Sequence, residues 1–89
     1  MEYHFDYDEL RETAEVVLKI NPSTDGWTVN DMVQRMEDDA RRTLHEPKGY
    51  LSTYGYVLTA FPYLDTGKIG IKASVNSYTI ASYLGRKGL

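Results

Sequence analysis

Eighty-nine residues, 42% apolar and 26% charged, are enough for one small core and too hydrophobic for a disordered chain. Cysteine is absent, which excludes disulfides and thiolate metal sites and makes a reducing, cytoplasmic setting the expectation. Net charge is −3, unevenly spread: residues 1–46 hold twelve acids against five Lys/Arg, whereas residues 47–89 hold one acid, Asp65, against five.

The opening MEYHFDYDEL has neither a basic n-region nor an apolar h-region, so no secretory signal is expected. The first helix is expected over 7–20. Asp6 and Glu9 have capping-box spacing, Leu10, Ala14 and Val17 recur at helical period, and Glu15–Lys19 is an i,i+4 pair. Asn21-Pro22 stops it, because a residue before proline avoids the helical region. NPSTDGW (21–27) is turn chemistry throughout. A second helix is expected over 28–45, with Thr28 as N-cap, Asp31 at N3 and Trp27 stapled onto Met32. Its apolar stripe is Met32, Met36, Ala40 and Leu44, widened by Val29 and Val33. Asp31–Arg35, Glu37–Arg41 and Asp38–Arg42 are acid-before-base pairs on the outside. His45 suits the negative end of this helix, and Pro47 and Gly49 close it.

From Gly49 onward Thr, Tyr, Val and Ile replace Glu and Arg. Residues 50–64 and 68–75 read as the two strands of an antiparallel hairpin, joined by Asp65-Thr66-Gly67 with Gly67 at positive φ. In the second strand Ile69, Ile71, Ala73 and Val75 alternate with Lys68, Gly70, Lys72 and Ser74, the pattern of a half-buried strand. Neither face of the first strand is purely polar, Gly55 is expected at a bulge, and Pro62 marks an edge. NSYTIASYLGRKGL reads as a short helix over 77–84 with Ile80, Ala81 and Leu84 inward, a third strand being the alternative. The expected fold is therefore a single α+β domain, 1–89: two helices packed on a Tyr-rich antiparallel hairpin, with a short C-terminal helix or third strand. The expected core is Leu10, Ala14, Val17, Met32, Val33, Met36, Ala40, Leu44, Val57, Ile69, Ile71, Val75, Ile80 and Leu84.

No catalytic motif stands out. His4, Asp6 and Asp8 lie at period two and would share a side if extended, but both aspartates serve as helix-start acids. The glycine spacing fits neither a dinucleotide fingerprint nor a phosphate loop, and there is no nucleophile elbow. The expectation is no enzyme, no metal and no cofactor. The eight tyrosines, six of them after residue 49, carry more information, since Tyr is enriched where proteins touch. Tyr50, Tyr54, Tyr56 and Tyr63, with Lys68 and Lys72, are the expected partner-binding residues, and an unpaired hairpin edge makes a homodimer possible. A nucleic-acid-binding accessory protein, using Lys68, Lys72, Arg86 and Lys87 with interleaved tyrosines, is an alternative that the net negative charge disfavours, and a small enzyme ranks lower still. Mimicry of nucleic acid by the acidic row Glu2, Asp6, Asp8, Glu9, Glu12 and Glu15, of which Asp8, Glu12 and Glu15 share a helical face, is the opposite charge-based reading. In size, acidity and tyrosine content the chain is similar in type to the small accessory proteins with which phages and mobile elements block host factors. That likeness is one of type and rests on no motif; it fits the expectation of a protein-binding module acting as a stoichiometric inhibitor or adaptor.

Overall fold

The computed structural model describes residues 2–43 and 49–88. Three helices and a four-stranded mixed sheet make an α+β fold. The chain runs β1 (Tyr3–Phe5), α1 (Tyr7–Ile20), a 3-10 turn (Pro22–Thr24), α2 (Val29–Thr43), β2 (Gly49–Leu51), β3 (Tyr56–Pro62), β4 (Ile69–Val75) and α3 (Ser77–Arg86). Leu44, His45 and Pro47, expected at the end of the second helix, lie outside the described residues.

Both long helices start where local chemistry directs. Asp6 accepts from the Glu9 amide at 3.2 Å. Thr28 and Asp31 cap each other's amides at 3.1 and 3.0 Å, a reciprocal box that satisfies two otherwise orphaned donors. Asn21 ends α1 and then ties it to the sheet. Its Nδ2 donates to the Tyr54 carbonyl at 2.5 Å, and its Oδ1 accepts from the Ser23 amide and hydroxyl.

The sheet order is β1-β4-β3-β2. β3 and β4 form the expected antiparallel hairpin, Tyr56 opposite Val75 and Pro62 opposite Ile69. Gly67 takes φ +71° in its loop. The sheet is nonetheless mixed and larger than a hairpin. β1 runs parallel to β4, Tyr3 beside Ile69 and Phe5 beside Ile71. The expected long strand 50–64 is broken at Ser52–Gly55, where the chain reverses, so Gly55 (φ +110°) belongs to a turn and not to a bulge. Its amino-terminal piece, β2, folds back antiparallel on Val57–Thr59. The outermost strands are therefore β1 and β2, and the hairpin's own edges are partly paired. Past the end of β1, the buried Thr13 hydroxyl of α1 takes over as partner of the Ala73 carbonyl at 3.2 Å.

The core lies between the sheet and α1 with α2. It contains Phe5, Leu10, Ala14, Val17, Met32, Val33, Met36, Ala40, Tyr56, Leu58, Ala60, Ile69, Ile71 and Ala73. Three expectations are corrected. Val57 points away from the helices and is only half-buried; its neighbours Tyr56 and Leu58 take the inner face instead. Val75 is half-buried against the core's margin. Ile80 and Leu84 remain about 40% exposed, because α3 sits at the end of the sheet and buries no residue fully. Arg86 fastens α3 by donating to the Ile20 carbonyl at 2.5 Å.

Candidate functional site

With α1 and α2 on one side, the other face of the sheet is uncovered. Strand register fixes what it displays. One row across the sheet is Leu51, Val57 and Ser74; the next is Gly49, Thr59 and Lys72; the third is Phe61, Gly70 and His4. Leu51, Thr59, Lys72, Ser74 and His4 are exposed, and Val57 and Phe61 are half-buried. Helix packing would have covered these positions if the sheet were buried on both faces.

The third row is an aromatic cluster built around a glycine. Phe61 and Tyr63 meet edge to face at 5.0 Å between centroids, and Tyr63 meets His4 the same way at 5.8 Å. The two large rings lie over Gly70. A Cβ there would fall 2.6 Å from the ring carbons of both Phe61 and Tyr63, so the absence of a side chain makes the cluster possible. The Lys72 ammonium lies 5.4 Å from the Phe61 centroid and makes no ion pair among the described residues. At the hairpin end, His4, Tyr63, Asp65, Thr66 and Lys68 line a shallow recess of about 380 Å³. Lys68 approaches Glu2 at 3.8 Å there. Leu64, at the hairpin tip, is 94% exposed.

The six expected contact residues divide between the two sides. Tyr63, Lys68 and Lys72 belong to the open side. Tyr50 and Tyr54 are half-buried against the core, and Tyr54 packs on Trp27 at 4.8 Å beneath the Arg35 guanidinium. Tyr56 is wholly buried and offers no contact surface. Phe61, His4 and Leu51 were missed. The signal for Phe61 and His4 was present in the alternation around Gly70, but β1 had to be recognised before His4 could be placed beside it.

Tyr56 has a different role. Its hydroxyl donates to Asp39 Oδ2, and Asp39 is fully buried on the sheet-facing side of α2. Arg42 donates to Asp39 Oδ1 at 2.5 Å, and Arg35 Nε lies 3.3 Å from the same oxygen. The expected outer pairs are thus redirected: both arginines turn to Asp39, while Asp31 is occupied in the cap and Asp38 accepts from Gln34 at 3.1 Å. A buried carboxylate needs compensation of this kind, which the exposed acids do not. Asp39 shares its helix face with Met32, Met36 and Ala40, and an acid on an apolar stripe was the sequence signal for it. Burial and the bond to Asp39 push the Tyr56 phenol well above the usual tyrosine range. It keeps its proton at neutral pH and holds β3 to α2 through Asp39.

A second recess, about 460 Å³, lies between α3, the end of α1 and the β2–β3 turn, with Asn21, Leu51, Ser52, Tyr78, Thr79 and Arg86 among its lining. Asn21 and Arg86 already hold backbone carbonyls across it, so it reads as a seam between elements. Among the described residues no group of three or more His, Asp or Glu could hold a metal; His4 faces Tyr63 while Asp6 caps α1 and Asp8 pairs with Arg11 at 2.6 Å. No family model, curated protein or solved structure matches this chain.

Proposed function

We propose that the chain is a non-catalytic protein-binding module that engages another protein through the open face of its sheet. Acting stoichiometrically, as an inhibitor or adaptor in a cytoplasmic setting, is the form that best suits a small chain whose sequence carries no catalytic motif. The observation that carries the reading is the His4–Tyr63–Phe61 cluster over Gly70, flanked by Lys72 and Lys68, with Leu51 two rows away on the same face. Aromatic anchors that are already ordered lose little entropy on binding, and rim polar groups supply specificity. The outer faces of α1 and α2 carry charges that are costly to desolvate, and several are already paired.

The test compares affinity capture from the native cell by the wild type, Gly70→Ala, Phe61→Ala with Tyr63→Ala, and Glu12→Gln with Glu15→Gln. Gly70→Ala forces the two rings apart at their far ends and leaves the inner face of the sheet unchanged. The expected result is one protein recovered stoichiometrically by the wild type and the acid variants and lost by the two face variants. Loss through the acid variants alone would favour the mimic, and nuclease-sensitive recovery would favour nucleic acid.

A further inference from the structure

We propose that the open face takes an acidic peptide segment, with a partner carboxylate held at Lys72 and apolar side chains on Leu51, Val57 and Phe61; this rests on the protein-binding reading above. Charge distribution is the first argument. The four strands contain no Asp or Glu, while α1 and α2 carry eight between them. An acidic partner is repelled by the helical side and drawn to the sheet, which orients the encounter before contact.

The second argument is local. Lys72 sits at the centre of the face, with Thr59 directly opposite on β3 and Ser74 two residues along β4. One ammonium and two exposed hydroxyls thus lie together, with Phe61 in the row on one side of the Lys72–Thr59 pair and Val57, opposite Ser74, in the row on the other. Lys68 is already approached by Glu2, and Asp65 stands beside it, so the hairpin end is balanced and Lys72 is the open charge.

The same geometry disfavours a nucleic acid. Base stacking needs free ring faces. Here the Lys72 ammonium lies over the Phe61 ring, and Tyr63 is already in edge-to-face contact with both Phe61 and His4. The two lysines that the described residues place on the face would also release few counterions.

The isotopically labelled full chain would be titrated with a short peptide alternating leucine and aspartate, its leucine–asparagine and leucine–lysine counterparts, and a short oligothymidylate. The expected result is amide shifts at Thr59, Phe61, Lys72 and Ser74 with the aspartate peptide, weakened about tenfold by Lys72→Ala, as suits the loss of one charge-assisted hydrogen bond. Lys72→Arg should restore most of the affinity, and Glu12→Gln should leave it unchanged. Lys72 is exposed, so neither of its substitutions threatens folding. No binding of the aspartate peptide at millimolar concentration, equal binding of the asparagine peptide, or an unchanged affinity in Lys72→Ala would overturn the acidic-segment proposal. Of these, equal binding of the asparagine peptide at the same amides would still leave the face as a protein-binding surface. Preference for oligothymidylate would sink the protein-binding reading itself.

Discussion

Asp39 and Tyr56 are the residues on which the inner packing turns. Removing either leaves the other buried with a lost partner, and an unsatisfied buried group costs about 1–3 kcal/mol. Tyr56→Phe should cost about 1–2 kcal/mol, since Asp39 keeps its arginines. Asp39→Ala should cost about 3 kcal/mol, because it strands the phenol and unpairs Arg35 and Arg42 together. The double variant should be less destabilised than the sum of the two, and urea unfolding of all four proteins measures that coupling. A pH effect follows from the same pair. Above about pH 10 an unfolded tyrosine releases its proton, whereas native Tyr56 retains it. The native state then binds more protons than the unfolded one, so stability contributed by this group is present below that pH and falls as pH rises through the alkaline range. Unfolding curves collected from pH 8 upward should show the decline, and Tyr56→Phe should flatten it.

Among the elements, α1 and α2 were legible because their signals are local: a cap, a stop and a 3.6-residue stripe within fifteen positions. Thr28→Ala should accordingly lower stability by about 1 kcal/mol in thermal or urea unfolding. The strands were legible in part. Ile69, Ile71 and Ala73 alternate cleanly with Lys72 and Ser74, so the inner face of β4 could be read directly. The first strand of the hairpin offered apolar residues on both faces, and its side was decided by Asp39, a partner on another element that periodicity does not reveal. The reversal at Ser52–Gly55 lacked an Asn-Gly or Asp-Gly signal. Its position depends on Gly55, where a Cβ would meet Asn21 Nδ2 and Thr79 Oγ1 at 3.0 Å in a conformation that side chains avoid. Helix α3 was expected inward from its apolar residues, yet Tyr78, Ile80 and Leu84 stay exposed. With no fully buried residue it should open most readily of the three helices, and hydrogen exchange should show its amides unprotected first.

At the scale of the whole molecule, acids and strands are segregated, so the chain's net charge of −3 hides two unlike surfaces. The proposed contact surface was half legible for that reason. Lys68, Lys72 and Tyr63 stood out by composition. Their relation to Phe61 and His4 depended on a four-stranded register assembled from both ends of the chain. No helix among the described residues is long and apolar enough to cross a membrane.

The parallel pairing of β1 with β4 also bears on how fast the molecule forms and comes apart. Every other strand contact joins neighbours in sequence, but Tyr3 and Ile69 close a loop of some 66 residues. Most of the entropic cost of closing a loop of that length is met once α1 packs on β4 through Thr13 and Ala73, and the three residues of β1 then add their contacts at the margin. The hairpin and the two long helices can nucleate without β1, and β1 then docks late, its Tyr3 and Phe5 rings under the Arg41 guanidinium. Stopped-flow chevrons should therefore treat Phe5→Ala differently from core changes in α2. The substitution should cost about 3 kcal/mol at equilibrium. Nearly all of it should appear as faster unfolding, with the refolding limb close to that of the wild type, whereas Met36→Ala should slow refolding as well. The residence time of the native state, more than its rate of formation, is then set by three residues at one margin of the sheet.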